Sequence, residues 1–341
     1  MFKLGTSRSK IKEKGVVILA EKQLMTYDVG DQMNLMVLIK SAEVRVAKNG
    51  KKYLDFTFTD ASGEMSGKFW DAGEADITRY QAGRVVRLTG KRENYQGTPQ
   101  VRISALRLAN ADEPHDPDDF MSSAPMKAAD MEDEINQVVF EITNQVWNRI
   151  VRWLLAKHRE AFFTYPAAKR NHHAFKGGLA FHTVSILRLA HSVAGQYETI
   201  NAPLLYAGAI LHDLGKVVEL SGPVGTQYTV EGNLLGHISI VDGEIVTACN
   251  ALKFDLDSED VVMLRHMILA HHGLLEYGSP VRPRLLEAEV LHDLDELDAS
   301  IMMMTNALDK TSPGSFGERL FAMDGRSFYR PNEKDDPQDN A

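Results

Sequence analysis

The stretch GAILHDLGKV, which begins at Gly208, places His212 and Asp213 side by side in an otherwise apolar run. Burying two ionisable side chains is costly unless they are paired with other groups or bound to a metal. Lys216 follows closely and is suited to contact a phosphate; alternatively, it is a lysine near a helix C-terminus, where the helix dipole favours a cation. The stretch therefore predicts that His212 and Asp213 have a partner elsewhere in the chain.

Most of the 12 histidines lie between His172 and His292, within a region of helical periodicity. Asp295 and Asp298 share one face of the last long helix, and His182 lies on the buried face of an earlier one. A lone inward histidine is more often a hydrogen-bonded core residue than a ligand. Five helices that each carry inward His or Asp nevertheless need charge compensation, which a pair of divalent metals provides. The candidate ligands are His182, His212, Asp213, His237, His266, His271, His272, Asp295 and Asp298.

Imidazole and carboxylate ligands without cysteine suit Mn²⁺, Fe²⁺ or Zn²⁺ better than a structural zinc site. Two such ions, roughly 3.5–4 Å apart, can orient and deprotonate water and neutralise phosphoryl oxygens, so no serine or cysteine nucleophile is needed. Lys216 would then stabilise charge on the phosphate. The loop before the His182 helix is basic; it either holds substrate phosphates or is a solvated basic loop. Its candidate residues are Lys169, Arg170, His172, His173 and Lys176.

The elements that precede this region are strand-like. Residues 33–108 contain five short runs rich in β-branched and aromatic residues, separated by turn signals. Five strands of this length suit a small closed barrel of the OB-fold type. Aromatic and basic side chains mix along it, as in proteins that stack bases and follow a nucleic-acid backbone. Phe56 and Phe58 share one face and are expected in the core; the predicted binding set is Tyr53, Lys68, Trp70 and Tyr95.

The rest of the chain divides by composition and period. Residues 111–130 are polar and proline-containing, which indicates a linker. From residue 131 onward, a stripe from Ile135 to Leu154 and further helices at 178–197, 203–214, 234–252, 258–271 and 284–309 are predicted. The fold class is therefore multidomain α and β, with an OB-fold barrel in residues 1–110 followed by an all-α bundle. That bundle spans residues 131–330, and residues 331–341 are predicted to be a disordered tail.

Bulk composition agrees with a protein of the cytoplasm. The chain has 341 residues and a single cysteine, Cys249, which excludes an internal disulfide framework. The apolar run at 15–20 is too short to span a membrane. Residues 1–110 carry 19 Lys and Arg against 12 Asp and Glu, a net charge of +7, whereas the remainder has 19 against 35, a net charge of −16. This asymmetry suggests that the first domain binds a polyanion, the alternative being ordinary variation in surface charge.

The order of His182, His212-Asp213 and a late Asp295 resembles that of the HD-domain metal-dependent phosphohydrolases. GGLAFHT, HDLGK, GH at 236–237, HH at 271–272 and LDELDA occur in that family's order, over roughly residues 165–310. With an OB-fold in front, the whole chain resembles the YhaM-type 3′→5′ exoribonucleases. HHAFKGGLAFHT, AHHGLLEYGSPV and EAEVLHDLDELDA carry that closer resemblance.

The resemblance implies that one metal is held by His182, His212, Asp213 and Asp295. Asp213 would bridge to a second metal, held also by His237 and His271. His266 and His272 are further ligands or phosphate contacts, and Asp298 is the rival of Asp295. Asp295 is preferred because the family motif places its ligand first in D-x-L-D-A.

The implied function is exonucleolytic 3′→5′ degradation of single-stranded RNA to nucleoside monophosphates, with single-stranded DNA as a second substrate. The implied cofactors are two divalent ions, Mn²⁺ first, with Fe²⁺, Co²⁺ or Zn²⁺ as alternatives. A homo-oligomer and no membrane partner are expected. Two other functions stay open: a phosphohydrolase acting on a small nucleotide, and a non-catalytic protein that binds single-stranded nucleic acid.

Overall fold

The computed structural model describes residues 22–95, 98–169, 173 and 175–332. The chain divides after Phe120 into two compact units. No helix among the described residues is long and apolar enough to cross a membrane. Residues 333–341 of the predicted tail and the apolar run at 15–20 lie outside the described residues.

The first unit is a closed five-stranded barrel, which confirms the prediction of an OB-fold. Its strands pair in the order β1-β2-β3-β5-β4, and β4 returns to pair with β1; only β3 and β5 are parallel. Their bounds are β1 Gln32–Val46, β2 Lys52–Asp60, β3 Gly63–Phe69, β4 Val85–Tyr95 and β5 Thr98–Leu108.

The barrel core follows the alternation of the strands. Phe56 and Phe58 are fully buried, as predicted, while Tyr53 lies on the opposite face of β2. Two features were not predicted. A short helix, α1 (Glu74–Arg79), connects β3 to β4, and a 3₁₀ turn at Pro117–Phe120 packs against β1 and β2 with Phe120 buried. The stretch predicted as a linker is therefore partly ordered.

The second unit is a helical bundle with a single apolar core. The bounds of its helices are α2 Ala128–Glu141, α3 Gln145–Thr164, α4 Gly178–Gln196, α5 Ala202–Leu211, α6 Lys216–Glu219, α7 Val230–Leu252, α8 Glu259–Ala270 and α9 Leu286–Asp309. The five helices predicted beyond residue 178 are confirmed to within a few residues. A two-stranded ribbon of β6 (Ser315–Phe316) and β7 (Tyr329–Arg330), which was not predicted, follows α9.

The single stripe predicted from Ile135 to Leu154 is in fact split between two helices. Asn144 separates them, because its side-chain oxygen accepts the backbone N–H groups of Val146 and Trp147 and so caps α3. Apolar spacing alone cannot reveal this break, since the buried face continues across it. Both helices still contribute their apolar faces to the same core.

Helix α5 lies at the centre of the bundle, in contact with α3, α4, α8 and α9. It delivers His212 into the interior at its C-terminal end. Gly215 has an ordinary helical backbone (φ −60°), so its backbone conformation does not require a glycine. It is needed for close approach instead, because a Cβ there would lie 2.4 Å from the backbone oxygen of His237.

Candidate metal centre

Four side chains from three helical regions meet in the core of the bundle. Nε2 of His182, on α4, lies 3.3 Å from Nε2 of His212 and 3.1 Å from Oδ1 of Asp295, on α9. Oδ2 of Asp213 lies 3.6 Å and 3.5 Å from the same two imidazole nitrogens. Ligands at 2.0–2.2 Å from one ion lie about 3.0–3.4 Å from each other. The four side chains therefore fit a single divalent metal.

The other oxygen of Asp213 faces a second cluster, formed by His237, His271 and His272. Oδ1 of Asp213 lies 3.5 Å from Nε2 of His237 and 4.0 Å from Nε2 of His271. All three of these atoms are buried and lack a hydrogen-bond partner, an arrangement that is costly unless something binds there. Imidazole nitrogen and carboxylate oxygen are donors that divalent transition metals take. The cluster therefore fits a second ion.

The far ring nitrogens of these histidines are held by hydrogen bonds, which aim Nε2 at the clusters. Nδ1 of His212 donates to the backbone oxygen of Ala209 at 2.8 Å, and Nδ1 of His271 donates to that of Ile268 at 2.6 Å. These partners lie three residues earlier in the chain, so the helix ends themselves orient the rings.

Glu219 is a functional residue that sequence reasoning missed. Its Oε1 lies 3.1 Å from the backbone nitrogen and 3.2 Å from Nδ1 of His237. The two residues are 18 positions apart, and they meet because α6 packs against α7. Helix α7 is kinked at Gly236 (φ 71°), just before His237, a conformation that favours glycine. No local pattern announces this contact.

Asp298 lies behind His182 rather than at the cluster. Its Oδ2 accepts hydrogen bonds from Nδ1 of His182 at 2.8 Å and from Nε2 of His173 at 2.7 Å, and its Oδ1 accepts from Ser185 at 2.5 Å. The geometry thus distinguishes the two rival aspartates: Asp295 faces Nε2 of His182, and Asp298 accepts from Nδ1 and orients the ring. His173 is buried, so the prediction that it contacts a substrate phosphate is wrong.

The charge state of His182 reflects its two carboxylate neighbours. Burial alone would lower its pKa, but hydrogen bonds to Asp295 and Asp298 outweigh burial and raise the pKa to about 9. A proton on Nε2 of His182 uses the lone pair that this nitrogen would otherwise offer to a metal. Metal binding must therefore displace a proton from Nε2.

Lys216 begins the four-residue helix α6, five residues beyond the last residue of α5. Its Nζ lies 2.5 Å from Oδ2 of Asp213. Burial would raise the pKa of Asp213, but Lys216 and the surrounding imidazoles lower it well below its usual range. Burial likewise opposes the charge on Lys216, whereas Asp213 raises its pKa above the ordinary value. Both groups are charged at neutral pH.

An open cleft of about 420 Å³ gives access to the clusters. Its polar lining includes Lys169, Lys216, His237, His272 and Asp295, and its apolar lining includes Tyr228 and Tyr277. Nζ of Lys169 also donates to Gln227 at 2.7 Å. The structure thus places Lys169 beside the clusters.

Of the remaining predicted residues, Lys176 and His266 lie elsewhere. Arg170 and His172 lie outside the described residues. Lys176 does not line the cleft; its backbone N–H donates to Ser122 at 3.1 Å. His266 is also away from the clusters, since its Nε2 accepts the backbone N–H of Arg284 at 2.8 Å in a separate cavity. Of the two uncertain histidines, the structure brings only His272 to the clusters.

All four residues of the predicted binding set on the barrel come together. The rings of Tyr53 and Trp70 lie 4.6 Å apart, and Nζ of Lys68 lies 5.9 Å from the ring centres of Tyr53, Trp70 and Tyr95. Trp70 and Tyr95 are 57% and 61% exposed. Lys68 has no ion-pair partner in the part of the chain that the structure describes. Exposed rings around an unpaired cation are typical of a single-strand binding surface.

Fold and site together define a class: an OB-fold unit joined to a metal-dependent HD-domain hydrolase. Residues 179–300 match the model of the HD domain, and residues 37–109 match that of the OB-fold nucleic acid binding domain. The match to the HD domain accords with dependence on divalent metal.

The full-length relatives are more specific. The chain is 49% identical over 311 residues to the 3′-5′ exoribonuclease YhaM of Listeria monocytogenes serotype 4b, covering 91% of this chain and 99% of that protein. Listeria innocua and Listeria welshimeri YhaM match with the same identity and coverage. The chain belongs to the YhaM family of 3′-5′ exoribonucleases. Among solved structures, the second OB-fold domain of replication protein A from Methanococcus maripaludis matches 27% of this chain and 98% of that domain at 11% identity. Its TM-score of 0.23 is too low to add to the assignment.

Proposed function

We propose that this chain is a divalent-metal-dependent exoribonuclease that removes nucleoside monophosphates from the 3′ end of single-stranded RNA. The observation that carries the proposal is the placement of Asp213, whose two oxygens face two separate sets of ligand atoms. Membership of the YhaM family and the OB-fold nucleic acid binding domain support RNA as the substrate.

Two ions would be held, with Mn²⁺ as the preferred metal and Fe²⁺, Co²⁺ or Zn²⁺ as alternatives. The first set is His182, His212, Asp213 and Asp295; the second is Asp213, His237, His271 and His272. When bound, such ions lower the pKa of a water and neutralise phosphoryl oxygens.

The chain itself supplies charge and orientation. Lys216, charged and in the cleft, places a cation beside the scissile phosphate and stabilises the charge that develops there. Lys169 provides a second cation at the same cleft. Glu219 and Asp298 hold the rings of His237 and His182 in the orientation that presents Nε2.

The barrel would capture the strand by stacking bases on Tyr53, Trp70 and Tyr95 while Lys68 meets a backbone phosphate. Stacking of this kind does not read the 2′-hydroxyl, so we include single-stranded DNA as a second substrate. Three points remain predictions: a homo-oligomeric state, a cytoplasmic location, and the domain bounds 1–110, 111–130 and 131–330.

The test is cleavage of 5′-labelled single-stranded RNA in Mn²⁺ by wild-type protein and by Asp213→Ala. Asp293→Ala is the matched control, because Asp293 is an exposed aspartate two residues before Asp295. We expect a ladder that shortens from the 3′ end, abolished by Asp213→Ala and by EDTA but not by the control. Intact RNA bound at full strength would contradict the proposal, and hydrolysis of mononucleotides alone would indicate a small-nucleotide enzyme.

A further inference from the structure

A second cavity of about 420 Å³ lies on the segment that joins α8 to α9, apart from the cleft. Its lining is His266, Leu275, Val281, Arg282 and Arg284. We propose that this cavity binds the backbone phosphates of the RNA immediately upstream of the nucleotide in the cleft. The inference rests on the proposed function, since it assigns a further substrate contact to the same enzyme.

The first argument is charge. Arg282 and Arg284 are exposed, and neither guanidinium has a hydrogen-bond or ion-pair partner among the described residues. Three other arginines of this unit form ion pairs: Arg159 with Glu132, Arg188 with Glu134 and Arg265 with Asp242. A guanidinium fork matches the geometry of a phosphate group, and two unpaired forks at one cavity are suited to bind an anion.

His266 adds a neutral imidazole to the lining of this cavity. Its Nε2 accepts the backbone N–H of Arg284, so in the neutral ring the proton resides on Nδ1. Burial and the neighbouring Arg284 lower the pKa of His266, which keeps the ring neutral near pH 7. Two exposed guanidinium groups and an uncharged imidazole therefore line this cavity.

The second argument is pre-organisation. The segment is held by three hydrogen bonds: Nδ1 of His272 to the backbone oxygen of Tyr277 at 2.6 Å, the backbone nitrogen of His272 to the buried Ser279 at 3.1 Å, and Arg284 to His266. A segment held in this way presents its side chains without a large ordering cost on binding.

The third argument is position. Leu275 lines the second cavity, whereas Tyr277 lines the cleft. The two residues are only two positions apart, so they lie within about 7 Å of each other along the chain. The segment is thus a shared wall between the two. A strand whose 3′-terminal nucleotide occupies the cleft has to leave it over an edge, and the edge formed by this segment carries Arg282 and Arg284. Leu275 and Val281, both exposed, offer apolar surface for the intervening sugar and base.

The experiment compares an Arg282→Gln/Arg284→Gln protein with an Arg149→Gln/Arg319→Gln control. The control removes two exposed arginines that line neither cavity. KM and kcat/KM are measured on a single-stranded RNA oligonucleotide over a range of KCl. They are also measured on bis(p-nitrophenyl) phosphate, a small diester that has no upstream phosphates.

We expect KM for RNA to rise about threefold to tenfold in the Arg282/Arg284 variant, the size of two partly exposed charge pairs. Each lost phosphate contact with a single strand should make the slope of log(kcat/KM) against log salt shallower by roughly 0.7. The loss of two contacts should therefore make it shallower by about 1.4. The variant should hydrolyse the small diester as the wild type does. In the Arg149/Arg319 control, KM for RNA and the salt slope should both equal the wild-type values.

If wild-type protein cuts RNA and the variant keeps its KM and salt slope, the phosphate site is wrong while the proposed function stands. An equal loss on the small diester would mean a disturbed active site and would also overturn the inference. RNA left intact by wild type would overturn the proposed function, and this inference with it.

Discussion

His182 donates Nδ1–H to Oδ2 of Asp298 across 2.8 Å, while Nε2 of the same ring lies 3.1 Å from Oδ1 of Asp295. Two aspartates one helical turn apart therefore have different roles. Burial would raise the pKa of Asp298, but its hydrogen bonds to His173 and His182 hold it well below the usual range, so Asp298 stays ionised and orients the ring. Asp295 is left facing the candidate metal ligands His182 and His212.

Asp298→Asn and Asp295→Asn should therefore fail in different ways. Losing an orienting carboxylate typically weakens metal affinity about 10–100-fold, so Asp298→Asn should recover cleavage when Mn²⁺ is raised. Asp295→Asn removes a ligand and should not recover. The measurement is RNA cleavage as a function of Mn²⁺ concentration, with Ser185→Ala as a milder change on the other oxygen of Asp298. Identical Mn²⁺ curves for the two Asn variants would assign both aspartates the same role.

His272 and His266 form a second matched pair, since both were candidate ligands and only His272 lies at a cluster. His272→Ala should lower cleavage at limiting Mn²⁺ at least tenfold and reduce the number of bound ions, counted by isothermal titration. His266→Ala should leave both the ion count and the Mn²⁺ dependence at wild-type values. An unchanged ion count in His272→Ala would remove that residue from the second site.

The raised pKa of His182 makes the stability of the metal-free protein depend on pH. The folded chain holds this proton up to about pH 9, whereas the unfolded chain releases it near 6.5. Its stabilisation is therefore complete below pH 6.5 and is lost as pH rises through about 9. Unfolding by urea in EDTA should show a fall on the order of 3 kcal/mol across this window. His182→Gln should lack the fall; a wild-type curve that is flat or rising there would contradict the assignment.

Trp70 should report directly on RNA binding by the barrel. Because Trp70 is exposed and stacked near Tyr53, single-stranded RNA should quench its fluorescence, and Trp70→Ala should weaken binding by about 1–3 kcal/mol. Cleavage at saturating RNA should stay close to wild type. Val46→Ala, an exposed apolar residue of the same barrel, serves as control. Equal affinities for the Trp70 variant and wild type would exclude the ring as a base-stacking platform.

Much of the architecture is readable from local pattern. Alternation in β2 correctly assigned Phe56 and Phe58 to the barrel core, and helical spacing located α4 to α9 apart from the four-residue α6. The failures occurred where local pattern carries no signal. The break at Asn144 depends on a side-chain cap, and the need for glycine at 215 depends on the approach of His237, 22 residues away.

The sequence by itself determined which chemistry this protein carries, because the ligand-type residues, their order and their inward helical positions are local properties of the chain. Only the tertiary structure decided which of them meet. Asp295 and Asp298 share one helical face, and His266 and His272 lie six residues apart, so spacing cannot rank either pair. The packing of α9 against α4 places one aspartate at each nitrogen of His182. The turn after α8 brings His272, but not His266, to the candidate metal ligands His237 and His271.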